Sequence, residues 1–73
     1  MKYVYLSRDY DGESSFILGV YSDPQKAMDF IDKENPQFKD KKWDKDEKKE
    51  EWTKLYLYGF YEVIRYEIDK EEV

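Results

Sequence analysis

The chain has 73 residues, is 42% charged and 19% aromatic, and carries a net charge of −5. A chain this short makes one domain with a thin core, because it buries only about 60% of the surface its unfolded form exposes. It holds no Cys and no His, which excludes thiolate nucleophiles, disulfides, Cys/His zinc sites and imidazole bases.

Residues 2–7 alternate as a strand, with Val4 and Leu6 on one side and Tyr3 and Tyr5 on the other. Asp11-Gly12 predicts a hairpin to a return strand over 16–21, since a type I′ turn needs positive φ at both central residues. A two-residue turn there pairs Leu6 with Ile17, Tyr5 with Leu18, Val4 with Gly19 and Tyr3 with Val20. A longer loop or a bulge would shift this register and exchange the faces.

Next comes a helix over Pro24–Glu34. Asp23 suits the N-cap and Pro24 the first helical position, where proline's missing N–H costs nothing. Ser22 with Gln25 offers a competing capping box, disfavoured because a residue before proline avoids helical angles. Ala27, Met28, Phe30 and Ile31 make one apolar stripe, and Gln25, Lys26, Asp29, Asp32 and Lys33 the wet side. Asn35-Pro36 ends the helix.

Residues 39–54 hold seven Lys and six Asp or Glu, a net of +1, so the rest of the chain carries −6. The pairs Lys42–Asp46, Asp44–Lys48 and Glu50–Lys54 support a short charged helix over 44–53. The alternative is a loop pinned by Trp43 and Trp52. Residues 55–68 read as one last strand with a bulge or bend at Gly59, and 69–73 as an acidic tail. The expectation is a single α+β domain over 1–73. Its three-stranded antiparallel sheet has strand order 2-1-3 and one main helix packed on one face.

KYVYLSR followed by ILGVYSDPQKAMDFI resembles small bacterial and bacteriophage proteins of uncharacterised families, in which a strand hairpin runs straight into a helix. The resemblance covers the first half of the chain. It implies a ββα start and no activity.

For metal, DYDGES aligned on Gly12 as the glycine of a calcium loop puts Ser7 and Leu18 where the first and last acidic ligands belong. It reads as a solvated turn, and no metal or cofactor is expected. For catalysis, Glu62 interrupts an apolar face of the last strand, but no second group stands at a matching spacing, so no enzyme is expected. The acidic balance argues against direct binding to nucleic acid or to an anionic membrane. MKYVYLSRDYD holds no apolar run of signal-peptide length, and a cytoplasmic protein is expected.

Read as one strand, 55–68 is apolar on both sides. Tyr56, Tyr58, Phe60, Ile64, Tyr66 and Ile68 lie on one side, and Leu55, Leu57, Tyr61 and Val63 on the other. One helix covers one side only. The expectation is a non-catalytic protein-binding module, an inhibitor or modulator of a larger protein. It would act through Tyr56, Tyr58, Phe60, Tyr66, Trp43 and Trp52 on another protein or on a second copy of itself. The alternative is a nucleic-acid mimic presenting Asp9, Asp11, Glu13, Asp29, Asp32, Glu67 and Asp69.

Overall fold

The helix forms where its caps place it. In the computed structural model, which describes residues 2–68, α1 spans Pro24–Glu34 and the Asp23 carboxylate accepts from the Gln25 N–H at 2.7 Å. At its other end the Asn35 backbone N–H and side-chain amide both donate to the Ile31 carbonyl. A 3-10 turn at Pro36–Phe38 follows.

Five strands surround this helix in sequence: β1 (Lys2–Tyr10), β2 (Ser15–Tyr21), then β3 (Asp44–Lys45), β4 (Glu51–Tyr56) and β5 (Gly59–Ile68). They form a single antiparallel sheet in the order β2-β1-β5-β4-β3. The three-stranded sheet expected from sequence is therefore incorrect, and two features account for it.

First, the charged segment makes strands and no helix over 44–53. Asp44 and Lys45 pair with Thr53 and Trp52, and the Asp46 N–H donates to the Glu51 carbonyl. Along β4, Trp52, Lys54 and Tyr56 turn inward, so the period is that of a strand, with a lysine where an aliphatic residue would ordinarily stand. Second, 55–68 is not continuous. Leu57 and Tyr58 turn the chain back, Tyr56 faces Gly59, and the two halves pair with each other.

The first hairpin also differs in register. Its loop holds four residues, 11–14, tightened by the Asp11 carboxylate accepting from the Glu13 and Ser14 N–H groups. Gly12 has φ +99°, a conformation that favours glycine. A bulge opposite Ser7/Arg8 shifts the pairing, so Leu6 lies beside Val20, not Ile17.

Helix α1 crosses one side of the sheet. The core is Ala27, Met28 and Ile31 from the helix against Tyr61 and Val63 of β5, with Tyr5, Tyr21, Phe38, Trp43, Trp52 and Tyr56 packed around them. No helix among the described residues is long and apolar enough to cross a membrane.

Candidate functional site

Directly opposed residues of neighbouring strands share a face. Ser7, Val63, Tyr61, Trp52 and Lys54 are therefore all on the helix side, and the residues between them point away. On that far side the sheet reads as a grid. One level is Val20–Leu6–Ile64–Glu51, the next Ile17–Arg8–Glu62–Thr53, and the next Ser15–Tyr10–Phe60–Leu55. Val4 lies beside Tyr66 towards the other end. Tyr10 and Phe60 put their ring centroids 5.1 Å apart. Val20, Leu55 and Tyr66 are each at least half exposed.

At the centre of this apolar field Arg8 and Glu62 form an ion pair. Arg8 Nε is buried without a hydrogen-bond partner among the described residues. The pair was legible in part. Arg8 interrupts the Val4/Leu6 side of its strand as Glu62 interrupts the Phe60/Ile64 side of its own, and only the strand pairing joins them.

The tryptophans do not cover this face. Trp43 and Trp52 pack on the helix side, where Trp43 helps enclose Lys54. That lysine is 1% exposed. Its ammonium pairs with the Asp32 carboxylate, donates to the Phe38 carbonyl at 3.2 Å and lies 5.1 Å from the centre of the Trp43 ring. Trp43 Nε1 donates to the same Asp32. Asp32, on the wet side of the helix by sequence, is thus drawn inward.

The six aromatic residues expected to bind a partner do not form one surface. Phe60 and Tyr66 lie on the open face, Tyr58 projects from the β4–β5 turn, and Tyr56, Trp43 and Trp52 pack against the core. The acidic set is dispersed as well. Asp9, Asp11 and Glu13 are at the β1–β2 tip, while Glu67 faces Tyr3, six residues down β1 from Asp9 or roughly 20 Å away. Asp29, on the helix, accepts from Gln25, and Asp69 lies outside the described residues. Among the described residues, no group of three or more acidic side chains is placed to hold a metal ion.

Between α1 and β2 a half-open cleft of about 340 Å³ is lined by Asp9, Leu18, Phe30, Ile31, Glu34 and Tyr61, among others. Its charged groups are carboxylates, and Asp9 is already engaged, accepting from the Tyr56 hydroxyl at 2.6 Å. Burial, then the hydrogen bond to Asp9, pushes the Tyr56 phenol well above its ordinary pKa of 10, and burial raises Tyr61 too.

A raised folded-state pKa means that the unfolded chain ionises first. The stability Tyr56 contributes is complete below pH 10 and is lost as pH climbs from there towards the raised value. Melting curves taken from neutral pH to well above pH 10 are expected to show a steep alkaline loss of stability that Tyr56→Phe makes shallower. An unchanged slope in that variant would show that Tyr56 ionisation is not what destabilises the fold.

Compared with known proteins, the chain matches no family model, no curated protein and no solved structure.

Proposed function

We propose that this chain is a non-catalytic protein-binding module, acting in the cytoplasm, whose working surface is the open face of the sheet. The observation that carries the reading is the composition of that face. Val4, Leu6, Tyr10, Phe60, Ile64 and Tyr66 form an apolar field over β1 and β5, crossed at its centre by the Arg8–Glu62 pair, with no described element of the chain packed across it. An apolar patch of this breadth on a lone small domain marks an interaction surface, because leaving it in water forgoes its burial. Tyrosine and phenylalanine at its ends suit an interface, where a ring tolerates partial hydration before docking.

Groups that would otherwise suggest chemistry have structural tasks. Glu62 balances Arg8, Asp32 balances Lys54, and Asp9 receives the Tyr56 hydroxyl. Each is held by a partner that fixes the fold.

The test is site-specific photo-cross-linking in the cell that naturally makes the protein. A cross-linking amino acid at Tyr66 or Val20, both exposed on the open face, is expected to capture a protein. The same group at Lys26, exposed on the outer side of the helix, is expected to capture none. Capture that is equal from all three positions, or absent from the face, would overturn the proposal.

A further inference from the structure

We infer that the occupant of the open face is a second copy of this chain, related by a two-fold axis running along the strands between β1 and β5. The inference rests on the reading of that face as a protein-binding surface, and it names the partner.

Arg8 and Glu62 are direct neighbours at one level of the sheet, one on each side of the β1–β5 line. A two-fold axis along that line lays each copy's β1 over the other's β5 at the same level. Arg8 then meets the partner's Glu62, and Glu62 meets the partner's Arg8. The adjacent levels match in kind: Leu6 falls over the partner's Ile64, and Tyr10 over the partner's Phe60. Over these three levels of β1 and β5, apolar rows meet apolar rows, and the charged Arg8–Glu62 level meets its own complement.

The central pair also has unmet capacity. Glu62 engages Arg8 through Nη2, whereas a guanidinium carries five N–H donors in a planar fork. A second carboxylate arriving from above finds donors still available. Stacked sheets lie about 10 Å apart and turn by roughly 30°, which keeps the central level aligned and displaces the ends most. Glu51 would fall near the partner's Val20 at the rim, where its carboxylate stays in water. Four strands by eight residues present roughly 500 Å2 of sheet per copy, so about 1,000 Å2 in all, the lower bound of a specific interface.

Sedimentation and light scattering of the purified full chain test this. The mass is expected to rise from 9.0 kDa to twice that value as concentration increases through roughly the micromolar range. R8E and E62R are each expected to weaken association at least ~10-fold while circular dichroism shows them folded. An equimolar mixture of the two is expected to restore dimers, since the carboxylates of one then lie over the guanidinium groups of the other. Should either charge variant fail to fold, Tyr66→Lys, at an exposed position opposite Val4, is expected to give the same ~10-fold loss.

A chain that stays monomeric at about millimolar concentration would overturn the inference. So would dimers that survive both R8E and E62R, or folded variants whose mixture fails to associate. Cross-linking at Tyr66 separates this from the broader reading. An adduct of twice the chain's mass supports the second copy. An adduct with a different protein overturns the second copy and leaves the docking face standing. No adduct removes both.

Discussion

Asp32→Ala is expected to destabilise the protein by about 3 kcal/mol, because it strands the Lys54 ammonium inside the core. Lys54 is among the most enclosed side chains in the molecule, and Asp32 supplies its countercharge. The Phe38 carbonyl and the Trp43 ring remain after the substitution, but neither carries a net negative charge. Trp43 Nε1 loses its acceptor in the same step. A domain of this size has about 4–11 kcal/mol of stability in total, so the variant would sit close to unfolding at ambient temperature.

The loss should be largely reversible by removing the charge as well. Lys54→Met combined with Asp32→Leu replaces an ion pair by apolar contacts, an exchange that is often neutral or favourable. Urea titrations of Asp32→Leu, Lys54→Met and the double variant measure this coupling directly. If Asp32→Ala shifts stability by less than about 1 kcal/mol, the buried pair is not what holds α1 to β4.

The second large effect is expected at Gly59. A Cβ built there would lie 1.8 Å from the Tyr10 carbonyl oxygen and 2.8 Å from the Asp11 Cα. Both obstacles are backbone, so no side chain can swing aside. Gly59→Ala must push the β4–β5 turn away from the end of β1, breaking pairing near Tyr10 and Phe60 at a cost of about 3 kcal/mol or more. Gly12 provides the comparison. Its requirement is conformational, φ +99°, and alanine there should cost about 1–2 kcal/mol. Hydrogen exchange at Phe60 and urea melting would distinguish the two variants. Equal, small effects at both positions would contradict the close approach of the two hairpin tips.

What the chain determined by itself is local. Asp23, Pro24 and Asn35 bound the helix through short-range capping chemistry, and spacing alone puts Ala27, Met28 and Ile31 on its buried side, though Phe30 of the same expected stripe stays exposed. The Asp11-Gly12 stretch turns the chain for the same kind of reason. These features need only neighbours within a few residues.

Tertiary structure decided the rest. Lys54 reads as a solvated charge until Asp32, twenty-two residues earlier, is brought within hydrogen-bonding reach. With that pairing hidden, β4 looks like the end of a charged helix. Leu57 and Tyr58 carry no turn signature, so two strands read as one, and Tyr56 is counted on the same face as Phe60 when it belongs to the opposite one. The Arg8–Glu62 pair joins residues fifty-four positions apart. Long-range pairing assigns each side chain to a face, and a one-residue change in register reverses that assignment for the whole strand. Sequence therefore announces an apolar ribbon with two sides to cover, whereas folding determines which side receives the helix and which has no described element packed on it.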